Sequence, residues 1–240
     1  MRQGKQIILD VKARSLAQDL SPKISRLNAS TAMVEIPSFR SEYFDREAWR
    51  RFAAQFKDYS HLIVDVRENS GGNFVAMLRA LSSFRCGGQN AGTLVQPRRK
   101  LPDRAAIEDN TSDAYQIQEL DRFSSLSLMT FDDYGCYYGR VTVLTGPETS
   151  SVAEIFANSF FFRAGSRVWG QPTAGDVVLA VWYDLPLLGP GFSVSIPEAV
   201  YRNPEGKELE GKGVWPEREL YHDLKLSLAG KDTWIIEALK

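Results

Sequence analysis

The sequence predicts an α/β fold, and three observations predict it. Short apolar runs recur at residues 62–66 (L-I-V-D-V), 141–144 (V-T-V-L) and 167–170 (R-V-W-G), each the length of a strand and bounded by turn residues. The first two are followed by a turn and then by apolar residues at helical spacing, at 74–84 and 152–162. Strands that alternate with helices need crossover connections, hence a sheet holding parallel strands with helices on its faces. A 240-residue chain that is 43% apolar has the material for the core of such a sheet.

Taken in order, residues 6–11 (Q-I-I-L-D-V) read as a short strand and residues 12–21 as polar and irregular, so the opening resembles the end of an element that begins elsewhere. Residues 32–36 alternate as a strand does. Residues 42–56 place Trp49, Phe52, Ala53 and Phe56 on one helical face. The run 62–66 is apolar enough to be buried on both sides, and N-S-G-G-N turns it into the helix at 74–84. Residues 87–131 carry the weakest pattern, with a strand at 93–96 and a polar helix near 114–123, and read as an excursion or lid. Strand 141–144, helix 152–162 and strands 167–170, 177–184 and 192–196 complete the pattern.

A formal net charge of −1 with interleaved signs argues against a nucleic-acid partner and against a polybasic membrane patch. No apolar run reaches the ~18 residues of a membrane span, and the first residues do not form a signal peptide. Cys86 and Cys136 have no metal-ligand spacing and are expected to be two buried thiols.

The chemistry-bearing residues gather at the turns. Ser151 opens the helix at 152–162, where unpaired backbone N–H groups and the helix dipole favour negative charge, so it could attack a carbonyl while the Val152 amide received the oxyanion. The same serine and Glu154 have the S-x-x-E spacing of a capping box, which accounts for both without catalysis. Gly71 and Gly72 let backbone amides approach a ligand, or form an ordinary tight turn. His61 starts the strand whose far end carries those glycines, about 15–20 Å away at ~3.3 Å per residue, and His222 reads as a surface residue. Asp176 reads as a turn aspartate, and Glu208 and Glu210 as exposed carboxylates of a hairpin-like loop.

Four stretches in order, L-I-V-D-V-R-E-N-S-G-G-N, V-T-V-L-T-G-P-E-T-S-S-V-A-E-I-F-A, G-Q-P-T-A-G and E-G-K-G-V-W-P-E, resemble the core of the tail-specific, or C-terminal processing, serine protease family. The resemblance implies a ClpP/crotonase-like α/β core of mixed sheet with crossover helices over residues 29–240. It also implies that residues 1–28 are the remnant of a PDZ-like module and linker. It makes Ser151 the nucleophile, puts the oxyanion hole on the amides of Val152 and of Gly71 or Gly72, and implies no metal or other cofactor. The substrate would be a polypeptide, extended or a C-terminal segment, and full-length members are commonly exported.

One position departs from the pattern. The family's Ser/Lys branch has its lysine after the P-T-x-G turn, where this chain has Asp176, and a carboxylate of pKa ~3.9 is a weak base for a hydroxyl. A second branch, similar to the core of the tricorn protease, uses serine, histidine and glutamate. Glu210 matches that glutamate, with Glu208 the next nearest, and its histidine would come from a segment preceding this chain. Two functions are therefore expected from different classes: a serine endopeptidase working through an acyl-enzyme on Ser151, or a catalytically inactive relative that binds peptides or acts as a scaffold.

Overall fold

The computed structural model describes residues 19–96 and 107–240. The strand expected at 6–11 lies outside the described residues. The remaining expected elements are present, with two sheets where the sequence pattern distinguished only one.

The first sheet has six strands. β1 (Lys23–Arg26) pairs antiparallel with β2 (Thr31–Glu35), and β2 runs parallel to β3 (His61–Asp65). β6 (Arg140–Thr145), β7 (Ser166–Gly170) and the two-residue β10 (Arg218–Glu219) continue the parallel part, giving the order β1-β2-β3-β6-β7-β10. The second sheet is antiparallel, in the order β5-β4-β9-β8, from β4 (Asn90–Val95), β5 (Ser125–Met129), β8 (Val178–Asp184) and β9 (Ser193–Arg202). β9 is five residues longer than the apolar pattern predicted, because its last part pairs with β4 through Val200–Arg202 instead of with β8 alone.

Alternation along β3 explains how the first sheet is covered. Leu62 and Val64 join the main core with α2 (Phe74–Ser82) and α4 (Val152–Ser159), which is rich in Phe56, Phe84, Phe156 and Phe160. Ile63 points the other way, into a smaller core with Leu144, Trp169 and Trp234 of α6 (Thr233–Ala238). A strand apolar on both faces thus reports two covered faces. α6 and the short α5 (Leu224–Leu228) were not foreseen, since five or six residues hold too little periodicity to read. The expected helix at 42–56 is α1 (Arg46–Ala53) between short 3₁₀ helices at Ser41–Tyr43 and Ala54–Asp58, and its Trp49 Nε1–H donates to Ser83 Oγ at 3.0 Å.

The cysteines require a correction. Cys86 and Cys136 form a disulfide, partly exposed, across Cα atoms 5.7 Å apart and 50 residues of chain. The segment, which carries α3 (Asp113–Arg122), closes on itself because β4 and β5 pair antiparallel with Asn90 opposite Met129, a pairing that spacing alone does not reveal.

Candidate functional site

Parallel pairing brings three turns together. Asp65 faces Leu144 and Thr145 faces Gly170, so β3, β6 and β7 end at the same edge of the sheet, and the segments that follow them meet there. Ligand sites of open α/β sheets collect at this carboxyl edge.

In the first turn, Asn69 is completely buried and organises the backbone. Its Nδ2 donates to the Ile36 carbonyl at 2.8 Å and its Oδ1 accepts the Gly71 N–H at 2.8 Å. Gly71 and Gly72 hold φ of +102° and +138°, which only glycine adopts without strain. A methyl group on Gly71 would stand 2.7 Å from Ser151 Cβ and 3.1 Å from its Oγ, so the turn lies directly against that side chain. The Gly72 N–H has no hydrogen-bond partner among the described residues, whereas that of Gly71 is committed to Asn69.

The second turn delivers Ser151 at the mouth of α4, partly exposed, with φ +57° and ψ −131°. Apart from Asp133, no other non-glycine among the described residues has positive φ. Such a backbone costs ~1–3 kcal/mol and persists only where its surroundings enforce it. Here the Ser151 N–H is held by the Asp176 carbonyl at 2.9 Å and by Glu154 Oε2 at 3.1 Å, and the Ser150 N–H by the Asn69 carbonyl at 3.0 Å. Val152 is the first residue of α4, so the helix's own ladder offers its amide no carbonyl.

Glu154 does more than the capping-box spacing implied. It is completely buried and accepts from four donors: the Ser151 amide, the Thr173 hydroxyl, the Gly175 amide at 2.8 Å and the Asp176 amide at 3.0 Å. Burial raises its carboxyl above the ordinary range, and the hydrogen bonds, led by that from Thr173, oppose the rise. Thr173 also accepts the Val214 N–H at 2.7 Å, so the G-K-G-V-W-P stretch is tied through it to the entry of α4. The P-T-A-G motif was visible in the sequence, but its service to Glu154 was not.

The other expected residues divide. Glu210 accepts the Val177 N–H at 2.6 Å, which places it beside the segment that holds the Ser151 amide. Glu208 is instead paired with Arg202 at 3.0 Å. Asp176 reaches Ser151 through its main-chain carbonyl, and its side chain is exposed. His61 is buried at the amino end of β3, with Nε2 2.9 Å from Thr142 Oγ1 and Nδ1 3.2 Å from Arg140. Burial, then Arg140 and Arg167, lowers it to about 4. His222 is exposed and stacked on Trp234, ring centroids 4.7 Å apart. Neither histidine hydrogen-bonds to Ser151.

A void of about 10 Å³ beside Ser151 is lined by Phe74, Leu94, Ile155, Val177 and Leu179. Among the described residues no group of three or more His, Cys, Asp or Glu could hold a metal ion, and no helix is long and apolar enough to cross a membrane.

A serine on a strained turn at a helix entry, flanked by a glycine turn with a free amide, has the parts for acyl transfer. The chain belongs to peptidase family S41, whose sequence profile matches residues 30–220. Its fold is that of solved structures of such enzymes. A Parabacteroides merdae chain assigned as a peptidase superposes with a TM-score of 0.69 at 21% identity, over 94% of this chain and 66% of its own. For the photosystem II D1 C-terminal processing protease the TM-score is 0.53 at 20% identity, over 79% of this chain and 42% of that one. The tricorn protease gives 0.56 at 21% identity, over 88% of this chain and 17% of its own. The chain thus spans two thirds or less of each. No curated protein sequence matches it.

Proposed function

We propose that this chain is the catalytic domain of a serine endopeptidase that cleaves polypeptides through an acyl-enzyme on Ser151. The observation that carries the reading is the positive φ of Ser151 at the entry to α4, with the Gly71 backbone against its side chain. In this mechanism Ser151 Oγ attacks the peptide carbonyl, and the N–H groups of Val152 and Gly72 receive the oxyanion. Of the two glycines Gly72 is the donor, because the Gly71 amide is spent on Asn69. Glu154 fixes the serine by bonding its amide and the segment 173–176 together. Glu210, at the edge of the same segment, orients a base supplied from outside these residues.

A second reading rests on Asp176. The lysine of the Ser/Lys branch is replaced by an exposed aspartate, which fits a relative that binds peptides without cleaving them. A positioned base is worth ~10²–10⁴ in rate, so the isolated chain is expected to cleave at or near background.

Incubation of a disordered, C-terminally tailed polypeptide with the wild type, Ser151→Ala, Asp176→Lys and Asp176→Lys/Ser151→Ala, followed by mass spectrometry, tests both readings. The expected result is cleavage by Asp176→Lys alone. Cleavage that survives in the double variant would remove Ser151 as nucleophile. A folded but inactive Asp176→Lys would favour the binding reading. Cleavage by the wild type, lost in Ser151→Ala, would place a base within these residues.

A further inference from the structure

Among the described residues two arginines are buried, and one of them lacks a counter-ion. Arg79, 8% exposed, donates from Nε to Asp109 Oδ1 at 2.5 Å. Arg85, 7% exposed, makes one side-chain hydrogen bond, from Nη1 to the Asn90 carbonyl at 3.0 Å. Its Nε and Nη2 have no partner among the described residues. The same edge of Arg67 holds both oxygens of Asp65, at 2.9 and 2.6 Å. A guanidinium taken out of water without a counter-charge is costly, and an entering anion offsets that cost. The free edge of Arg85 is also within reach. The sealed, unpartnered side-chain polar atoms among the described residues belong to Gln96, Gln116, Asn158 and Trp234, and none belongs to Arg85.

The opening is a depression of about 440 Å³, in the size range of ligand sites, lined by Arg85 and Arg163 with the aromatic side chains of Tyr137, Tyr138 and Phe162. The Cys86–Cys136 disulfide lines it as well and ties the segment of Arg85 to that of Tyr137. No Asp or Glu is among the lining residues. The Arg85 guanidinium stands 5.9 Å from the centre of the Phe162 ring, and that of Arg163 stands 5.8 Å from the centre of Tyr137. Burial lowers both arginines below their ordinary range, opposed by Tyr201 for Arg85 and by Tyr137 for Arg163, in neither case by a carboxylate. Arginine stays charged even so.

The available donors select the shape of the anion. Every N–H of the Arg163 guanidinium is spent: Nε on the Phe84 carbonyl, Nη1 on the Ala164 carbonyl and Ser166 Oγ, and Nη2 on the Tyr137 and Gly139 carbonyls. It therefore offers charge without a hydrogen bond. Arg85 offers one two-pronged edge, which matches the two oxygens of a carboxylate and would leave the further oxygens of a phosphate unserved. The aromatic walls suit a flat apolar body behind that carboxylate.

We infer that this depression is a binding site for an organic carboxylate, held by Nε and Nη2 of Arg85 in the field of Arg163, with its apolar body against Phe162 and the two tyrosines. The site lies where α4 ends, beyond the 3₁₀ turn at Phe160–Phe162, whereas Ser151 lies where α4 begins. At ~1.5 Å per residue the two are roughly 18 Å apart along that element, so the assignment does not rest on the peptidase reading.

Saturation-transfer NMR on the full chain tests it, with benzoate, benzamide and inorganic phosphate as probes. Benzoate is expected to bind about tenfold or more tightly than benzamide, which has its shape without its charge, and than phosphate. Arg85→Lys keeps the charge but loses the edge and is expected to weaken benzoate about tenfold. Arg85→Gln is expected to abolish binding while the thermal midpoint of the free protein holds or rises, because an unpaired buried charge is gone. Tyr138→Glu alters a side chain 88% exposed, where folding is not at stake, and is expected to weaken benzoate by placing a carboxylate at the rim. Equal binding of benzamide, tighter binding of phosphate, or unchanged benzoate affinity in Arg85→Gln or Tyr138→Glu would overturn the site. Displacement of benzoate by acetyl-Gly-Gly-Phe but not by its amide would name a chain terminus as the source of the carboxylate. Displacement by neither would name a free acid, and both results uphold the site.

Discussion

Two strand–turn–helix units stand side by side in this molecule, β3 to α2 and β6 to α4, on strands paired in parallel register. In the first, every demanding backbone position is relaxed by its residue. Glycines take the positive φ angles, and Asn73 caps α2 by accepting the Val75 and Ala76 amides at 3.0 Å each. In the second, a serine holds the positive φ at the helix entry, and its neighbours hold it there. The same architecture yields a closed turn in one unit and a strained one in the other, and the strained turn carries the hydroxyl proposed as the nucleophile. Strain of this kind is a pointer to function when it is observed before the function is assumed.

The largest expected effect comes from breaking the relaxed turn. A methyl group on Gly72 would lie 2.5 Å from the Phe39 carbonyl carbon and 2.6 Å from its oxygen, at φ +138°. Gly72 also bridges to Phe39, with the Phe39 N–H on the Gly71 carbonyl at 2.9 Å and the Asn73 N–H on the Phe39 carbonyl at 2.9 Å, so the backbone has nowhere to go. Gly72→Ala is expected to lose about 4 kcal/mol, combining strain and overpacking. Urea unfolding measures it, and a loss below about 1 kcal/mol would mean that the first turn is not rigid.

Next comes the brace that imposes the strain. Glu154→Gln turns an amide NH₂ toward donors that the carboxylate accepted, and is expected to cost about 3 kcal/mol. The variant also tests the titration. A carboxyl whose folded pKa is raised binds its proton more tightly in the folded state, so its contribution is fully present below the unfolded value near 4.3. That contribution declines as pH rises from there through the raised folded value. The wild type should therefore carry a downward component of stability with rising pH that Glu154→Gln lacks. Parallel stability curves against pH for the two proteins would reject a raised Glu154.

A smaller loss is expected from the cap of α2. Asn73→Ala removes a side chain that accepts from two helix amides and donates to Thr111 and Asp113, with an expected cost of about 1–2 kcal/mol. Urea unfolding measures it, and a loss below about 0.5 kcal/mol would mean that the cap does not hold the start of α2.

How much of this was legible in the sequence depends on the range of the interaction. The buried strand at 62–66, the paired glycines and the S-x-x-E spacing are local signals, and they located β3, the first turn and the entry of α4. The preference for Gly72 over Gly71 as the proposed oxyanion donor was not local, since it turns on an Asn69 side chain anchored to Ile36, 33 residues away. Glu154 was read as a cap, but three of its four donors come from Thr173, Gly175 and Asp176. The disulfide and the second sheet were hidden for the same reason, because Cys86 meets Cys136 and β4 meets β9 only once distant parts of the chain have folded together. His61 shows the opposite case, in which the length of one strand was enough to exclude a residue from the site.

The smallest effect is the most discriminating. Ser151→Gly replaces a strained residue by one that tolerates φ +57° and ψ −131°, and removes the hydroxyl with it. Relief of strain of about 2 kcal/mol, less the roughly 1 kcal/mol of backbone entropy that glycine loses on folding, leaves a net gain of about 1 kcal/mol. For a chain of this size that is a rise of about 2–4 °C in Tm. Ser151→Ala keeps Cβ and therefore the strain, so it is expected to stay within about 0.5 kcal/mol of the wild type while losing the nucleophile equally. Calorimetry on the three proteins separates the terms: a gain in the glycine variant alone assigns the cost to the backbone at Ser151. If glycine and alanine behave alike, the second turn is as relaxed as the first, and the contrast between the two units has no energetic content.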